Sequence, residues 1–581
     1  MDTVAAAGGR AAKWQPREWR WPALFAALVM ALTALPYLVA VSRQTDAWHF
    51  GGFLFGVEDG NSYIADMGQG ARGAWLFTLP YSSEPHPGVL MFSFYLALGR
   101  VAGPDHDAQV LAFHAARLVC GWAMLMVSYG FLAEFLPRVK QRRLALALVA
   151  LGGGLGWLLV LLGQSNFLGS LPVDFISPEA FSFLTLYGLP HLAAARCFFL
   201  LALLAHLRRR PVWAGLALLA LSLIQPLYVL AAWAIMLADV GLGWLLGHCE
   251  TLPRISRIGS NWFLRNSCNS WLSFFPTGLG SASSATQAVS SALVPMVISS
   301  PLVIYTTVIL GLDPVLKYWM AQNRLPSPHP LHYLLAYGVY LVLAVWGWRA
   351  LTHRPLSPSP FLPSSPAPQH SRSPAPVLLL SWALVVPFLL YAPISTQRRL
   401  VEGFQLPLVI LAVWALTVSL HRSRRWLVPL TLALTLPTSV VLLASGLAGT
   451  LRPAEPVYHA EAELEMFSWL RAQAAPGQVA LSAYDTGNVL PAYTPLIAYI
   501  GHGPETIQLE AKAPRVAKFY QAGTSEADRR ALLSDGRVSW VIVGPAEKAL
   551  GDFDPAADPS AAAYLRREYS AEGYAVYRVM P

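Results

Sequence analysis

Long apolar runs with few charges dominate the first 450 residues of the chain. Most are near or above the length of about 18 residues at which an apolar segment can cross a bilayer as a helix. The pattern therefore predicts a polytopic all-α membrane domain with about 11–13 spans. The runs are approximately 22–42, 87–103, 108–136, 144–163, 191–207, 211–224, 227–247, 286–311, 331–348, 377–393, 404–420 and 426–447.

The pattern changes near residue 451, where short apolar segments alternate with polar ones. Alternating strands and helices of this length are typical of a small α/β domain. We predict three parts: a basic N-terminus over 1–21, a membrane domain over 22–450 and an α/β domain over 451–581. The predicted strands are 478–482, 538–543 and 573–579, and the predicted helices are 460–474, 510–520, 526–534 and 559–568.

The charge distribution predicts how the spans are oriented. Only 13% of residues are charged, against about 25% in an average soluble domain. The net charge of +9 comes from Lys and Arg in loops that the positive-inside rule assigns to the cytoplasm, so no nucleic-acid partner is predicted. The N-terminus and a Pro-rich linker, 355–376, are then cytoplasmic. Loop 43–86 and the α/β domain lie outside the cytoplasm, which makes the chain a multi-pass protein of the cell membrane.

The same rule exposes one conflict between residues 86 and 137. An odd number of crossings is required there, yet two apolar runs are present, 87–103 and 108–136. One of the two runs is therefore expected to re-enter the membrane or to lie along its interface.

The outside loop 43–86 carries acidic and aromatic side chains close to apolar spans. Acids in such places are costly to bury and usually face a polar cavity. A solvated loop whose acids face water is the alternative interpretation. The loop's candidate ligand contacts are Glu58, Asp59, Tyr63, Asp66 and His86.

A second outside segment also carries candidate residues. Loop 164–190 and the span that follows it contain Asp174, Glu179 and His191. Ser177 and Glu179 also fit a helix start, with Ser177 as N-cap.

Adjacent arginines at 398 and 399 break the positive-inside bias. A guanidinium fork suits a lipid phosphate, and snorkelling towards headgroups is the alternative.

The α/β domain offers no recognised catalytic motif. Two Gly-rich segments, 484–487 and 501–506, are interpreted as tight turns, because they lack the spacing of a dinucleotide fingerprint or a P-loop. No zinc, nucleophile-elbow or kinase spacing is present either.

The order of these parts resembles the GT-C superfamily of membrane glycosyltransferases, which includes protein O-mannosyltransferases and aminoarabinose transferases. The resemblance lies in the basic N-terminus and first span, the acidic pair and Tyr63 in the first outside loop, the many further spans, and the terminal α/β domain. It implies transfer of a sugar from a polyprenyl-phosphate donor at the extracytoplasmic face. The acceptor, which could be a glycan, a lipid or a protein, stays open.

The resemblance also implies roles for particular residues. Asp59 would be the base that acts on the acceptor, with Glu58 beside it and Asp66 as a second choice. Asp174 or Glu179 would supply a second acid, and Arg398 and Arg399 would hold the donor phosphate. A divalent metal ion is the one cofactor that the resemblance allows, since some members use one and others do not. The Glu-Asp-Gly-Asn sequence at 58–61 departs from the family pattern, which leaves the choice between Glu58 and Asp59 open.

Two other functions remain open from sequence. A transporter or flippase of lipid-linked substrates would place acids at mid-membrane and show paired broken helices, whereas the only break seen is at Gln225-Pro226. A non-catalytic relative would keep the fold and use the α/β domain for binding.

Overall fold

A computed structural model of the chain describes residues 18–251, 282–352, 375–419 and 426–580. It shows a helical membrane domain followed by a small α/β domain, which confirms the predicted fold class. The predicted cytoplasmic linker, 355–376, lies outside the described residues except for its last two positions.

The membrane domain is built from helices, several of them in two pieces. Short 3-10 helices occur at Phe167–Gly169 and Gln397–Val401, and a π-helical turn covers Ala415–Ser419. The helices are α1 (Arg20–Ser42), α2 (Val57–Ala71), α3 (Ser93–Ala102), α4 (His106–Phe135), α5 (Val139–Leu151), α6 (Gly156–Leu161), α7 (Val173–Ile176), α8 (Ser182–Gly188), α9 (Pro190–Leu207), α10 (Pro211–Ile224), α11 (Pro226–Thr251), α12 (Ala282–Leu312), α13 (Pro314–Gln322), α14 (Pro330–Thr352), α15 (Ala375–Leu389), α16 (Gln405–Trp414), α17 (Leu427–Thr435) and α18 (Pro437–Gly449).

Nine helical segments in the described ranges are long and apolar enough to cross a membrane. Two shorter apolar helices, Pro211–Ile224 and Val377–Leu389, lie between them in the bundle. With these two, the apolar helices of the described residues number eleven, the lower end of the predicted range. The chain is a multi-pass membrane protein.

The conflict between residues 86 and 137 is resolved by α3. Only ten residues of the apolar run 87–103 are helical, too few to cross a bilayer, whereas α4 has 30. Hence α4 is the crossing and α3 is not.

The α/β domain follows α18. Its helices are α19 (Glu461–Gln473), α20 (Tyr484–Tyr493), α21 (Leu509–Phe519), α22 (Glu526–Asp535) and α23 (Pro545–Leu550), and its strands are β2 (Tyr458–Ala460), β3 (Val479–Leu481), β4 (Ile497–Ala498), β5 (Val538–Val543), β6 (Leu565–Ala571) and β7 (Tyr574–Val579). Five strands form one sheet in the order β4-β3-β5-β7-β6, in which β3 is parallel to β4 and β5 and the other pairs are antiparallel.

The predicted helix 559–568 is wrong. A single turn at Ala561–Ala563 is followed by β6, which pairs with β7. Arg566 and Arg567 in β6 are exposed, so this edge strand lacks the apolar alternation that would have marked it in the sequence.

The α/β domain is anchored to the first outside loop by backbone pairing. Strand β1 (Trp48–Phe50) pairs antiparallel with β2, with His49 opposite His459. Helix α2 also packs along α20, where the Asn61 amide donates to the Asn488 Oδ1 at 2.8 Å. Loop 43–86 and the α/β domain therefore share one side of the molecule.

Candidate functional site

The first turn of α2 presents two acids, Glu58 and Asp59, at the point where the loop enters the helix. Gly56 precedes the helix with φ of +57°, a left-handed conformation that glycine adopts without steric cost. Carboxylates in the first turn are stabilised by the unpaired N–H groups and the positive end of the helix dipole. Both acids therefore sit where a helix start stabilises negative charge.

Glu58 is used to hold the α/β domain. Its Oε1 accepts hydrogen bonds from the Tyr484 hydroxyl and from the Gly503 N–H, the latter at 2.6 Å. With these donors in place Glu58 fixes the loop around residue 503 against α2. The structure therefore separates the two acids that the sequence left as alternatives.

Asp59 is the acid that remains open to a substrate. Its side chain is 57% exposed, and its Oδ1 lies 3.3 Å from the His502 Nε2. Burial by the surrounding protein raises the pKa of Asp59. The contact with His502 and the charges of His502, Arg399 and His191 lower the pKa by more than burial raises it, so the net shift of the pKa is downward. The surroundings of Asp59 therefore favour its ionised form.

His502 is held by its own turn and by a neighbouring ring. The Glu505 N–H donates to its Nδ1 at 3.3 Å, which leaves Nε2 as the nitrogen that carries a proton towards Asp59. The Tyr81 ring stacks on the imidazole at 5.2 Å between centroids. Burial lowers the pKa of His502, but the charges of Glu505, Asp59 and Glu58 outweigh it and raise the pKa overall.

Asp66 is enclosed beneath this cluster, with 0% exposure. Neither of its oxygens has a hydrogen-bond partner among the described residues, and the same is true of the Glu505 Oε2. Burial, together with the charge of Glu505, raises the pKa of Asp66 well above its usual range. Glu505 is also buried, and its Oε1 accepts from the Ser62 hydroxyl at 2.8 Å. Asp66 is therefore enclosed away from solvent, and its surroundings favour the protonated form.

The two arginines lie in the turn Gln397–Val401, at the head of a span. Arg399 is 36% exposed, and its Nε lies 3.7 Å from the Glu179 Oε1. The Nε of Arg398 is buried without a hydrogen-bond partner in the described part of the chain. Leaving a buried guanidinium N–H without a hydrogen bond costs free energy. The turn is therefore suited to an anion that would accept this hydrogen bond.

A buried ion pair holds that turn in place. Arg196 on α9 binds Glu402 through two contacts, Nε to Oε1 at 2.5 Å and Nη2 to Oε2 at 3.0 Å. The same Nη2 also donates to the Glu179 backbone carbonyl at 2.9 Å. Arg196 therefore fixes both the arginine turn and the loop that carries Glu179.

Aromatic rings form the wall between α2 and α9. Tyr63 stacks on Tyr95 at 4.4 Å between centroids, and the Tyr95 hydroxyl lies 2.6 Å from the His191 Nδ1. The pKa of Tyr63 is raised well above its usual range by burial and by the charge of Asp59. Tyr63 and His191, both predicted from the sequence, thus lie beside Asp59.

Two other predicted residues are used elsewhere in the fold. Asp174 is buried, and its Oδ2 accepts from the Gly154 and Gly156 N–H groups and from the Thr438 hydroxyl, the last at 2.6 Å. His86 accepts from the Leu79 N–H at 3.0 Å, so its other nitrogen can donate to the Pro87 carbonyl.

The N-cap assignment of Ser177 is wrong. Residue 177 ends α7, and the next helix, α8, begins only at Ser182. The Ser177 hydroxyl instead donates to the Glu179 Oε2 at 3.1 Å. The residue orients a carboxylate of the site rather than a helix end.

The residues do not match the metal that the sequence resemblance allowed. Within the described ranges, no three His, Cys, Asp or Glu side chains converge in the way that a metal site requires. Glu58 is already bound to two donors from the α/β domain.

Three residues of the site were not among the sequence candidates: Tyr484, His502 and Glu505. All belong to the two segments that were interpreted as tight turns. The sequence signal available was a His and a Glu three residues apart in a segment rich in Gly and Pro. This pattern is too short to distinguish a functional segment from an ordinary turn.

A separate cleft lies at the same domain junction but contains none of the predicted site residues. Its volume is about 520 Å³. Its acids include Asp105, which caps α4, and Asp107, which is 97% exposed. These are the ordinary positions of solvated or capping carboxylates.

No known family model and no curated protein matches the chain. Solved structures of the Archaeoglobus fulgidus oligosaccharyltransferase are similar in overall fold. The form tethered to an acceptor peptide has 14% identity and a TM-score of 0.47, and the match covers 95% of this chain and 74% of that one.

Two further structures of that enzyme give similar values. AglB in complex with an inhibitory peptide and a dolichol-phosphate has 15% identity and a TM-score of 0.47, with 95% and 74% of the two chains covered. The apo form has 14% identity and a TM-score of 0.49, with 95% and 73% covered. These enzymes belong to the GT-C superfamily that the sequence resembles. Likeness at this level assigns no activity or substrate.

Proposed function

We propose that this protein is a membrane glycosyltransferase that moves a sugar from a polyprenyl-phosphate-linked donor to an acceptor hydroxyl at the extracytoplasmic face. The observation that carries the proposal is Asp59, an exposed carboxylate with a lowered pKa, close enough to Arg399 for their charges to interact. A base and a phosphate-binding cation on one outer surface are the two groups that such a transfer requires.

In the proposed reaction the acceptor oxygen bonds to the anomeric carbon while the bond from that carbon to the phosphate oxygen breaks. The bonding electrons leave with the phosphate, and the hydroxyl proton passes to Asp59. Arg399, with the unpartnered Nε of Arg398, stabilises the charge on the departing lipid phosphate. Glu179 orients Arg399, whereas Asp174 is engaged with backbone N–H groups and has no part in the step.

Asp59→Asn tests this function. The substitution keeps the size of the side chain and removes the base, so transfer from a polyprenyl-phosphate sugar in membranes should fall by about 10²- to 10⁴-fold. Asp107→Asn is the matched control, because Asp107 is 97% exposed and lies in the first turn of another helix at the same end of the molecule. Equal transfer by wild type and Asp59→Asn would remove Asp59 from the mechanism. No transfer by wild type from any donor would favour a transporter or a non-catalytic protein.

A further inference from the structure

The α/β domain reaches into the proposed site with one titratable ring. Its turn at residues 501–506 crosses the first turn of α2 and brings the His502 Nε2 to 3.3 Å from the Asp59 Oδ1. The His502 side chain is 4% exposed and therefore has little freedom to turn away. The ring is stacked on Tyr81 and receives the Glu505 N–H on its far nitrogen.

This arrangement assigns the two oxygens of Asp59 different tasks. Because a backbone N–H can only donate, the Glu505 contact leaves the His502 proton on Nε2, where it faces Oδ1. Oδ2 is then the oxygen left for an acceptor hydroxyl. A base must be both ionised and correctly turned, and an imidazole fixed on its far side can provide both conditions.

The other groups that face Asp59 cannot replace this contact. Arg399 and His191 approach from the membrane domain and contribute charge at longer range. Glu58, the neighbouring acid on α2, is bound to Tyr484 and Gly503. Tyr63, one turn further along α2, stacks on Tyr95. His502 is the group that the structure brings within contact distance of the carboxylate.

We propose that His502, supplied by the α/β domain, is the positioning residue that keeps Asp59 ionised and turns its Oδ2 towards the acceptor. The inference rests on the proposed glycosyltransferase function, which it deepens. It makes the α/β domain part of the catalytic centre and not only an attached binding module.

His502→Phe is the test, since phenylalanine keeps a flat ring beside Tyr81 but has no N–H to offer Asp59. Loss of this N–H raises the pKa of Asp59, so the protonated form appears at higher pH than in wild type. The acidic limb of the pH–rate profile should move in the same direction, because activity is lost as Asp59 becomes protonated. His49→Gln is the control: it removes a partly exposed histidine from the same domain junction, where its partner is Glu461.

A second readout does not depend on turnover. Infrared titration of the purified full-length protein follows the protonated carboxyl band, and the band missing in Asp59→Asn identifies Asp59. The band should appear at higher pH in His502→Phe than in wild type and in His49→Gln. His502→Leu, which also lacks the N–H donor, replaces the Phe variant if that variant fails to fold.

The outcomes separate the inference from the function. An unchanged Asp59 titration and an unchanged acidic limb in His502→Phe would overturn the inference, even with an active wild type. A shifted titration in a protein without any transferase activity would uphold the contact and overturn the proposed function.

Discussion

At the scale of single residues, the site is defined by which charged groups already have partners. Glu58, Asp174 and Glu402 are each bound by several donors, which identifies them as structural. Asp59 is 57% exposed, and the buried Nε of Arg398 has no hydrogen-bond partner among the residues that the structure describes. Because an unmade hydrogen bond in a buried place costs free energy, a donor like that of Arg398 is expected where a ligand completes it.

The arginine turn gives the next prediction. Arg398→Gln and Arg399→Gln each remove a charged donor, so each should raise KM for the lipid-linked donor by about tenfold or more, with a smaller effect on KM for the acceptor. Initial rates in detergent micelles at varied donor concentration measure this. Arg324→Gln is the control, because Arg324 is exposed and its Nε binds only the Ala321 carbonyl. Equal changes in all three variants would mean that the turn does not recognise the phosphate.

At the scale of elements, periodicity and apolar length predicted most of the architecture. The apolar runs became helices, and the predicted helix 460–474 is α19 almost to the residue. Strand β6 was missed, because hydrogen bonding to β7 rather than its own sequence pattern makes it a strand. In the site, Asp59 was predicted as part of an outside loop, and the helix α2 that carries it was not predicted. The contact with His502 could not be predicted, since residues 59 and 502 meet only through the packing of α2 on α20.

Within the α/β domain, the segment after β4 approaches the backbone of α20 closely. A Cβ at Gly487 would lie 2.0 Å from the Ile500 carbonyl oxygen, so α20 and this segment can meet only with glycine there. Gly487→Ala should destabilise the α/β domain by about 1–3 kcal/mol and displace the turn that carries His502. The unfolding temperature and the transfer activity would both fall.

Gly523→Ala provides the matched substitution, since a Cβ there meets no atom within 4 Å. The two variants should therefore differ clearly in unfolding temperature. Equal unfolding temperatures would show that the backbone contact is not required.

At the scale of the whole molecule, the side of the membrane decides which substrates the site can meet. The β1–β2 pairing places loop 43–86 and the α/β domain together, and the distribution of basic loops predicts the extracytoplasmic side for both. A single cysteine at Gln473, introduced in a background without the four native cysteines, should react with a membrane-impermeant thiol reagent in intact cells.

A cysteine at Arg210, in the loop between α9 and α10, is the control for that experiment. Both positions are exposed in the structure, so accessibility alone does not distinguish them. Arg210→Cys should react only after the membrane is opened. If the cysteine at 210 reacted in intact cells and the cysteine at 473 reacted only after the membrane is opened, the site would lie in the cytoplasm.

The assembly of the site from distant positions also has a consequence for biosynthesis. Asp59 follows the first span, Arg399 follows hundreds of residues later, and His502 is translated after all of the spans found in the structure. A nascent chain can therefore hold its membrane helices in the bilayer while its Asp59 still lacks the histidine partner. Catalytic activity would arise only when the α/β domain has crossed the membrane, folded and docked. This order would keep incompletely synthesised chains from acting on lipid-linked sugars.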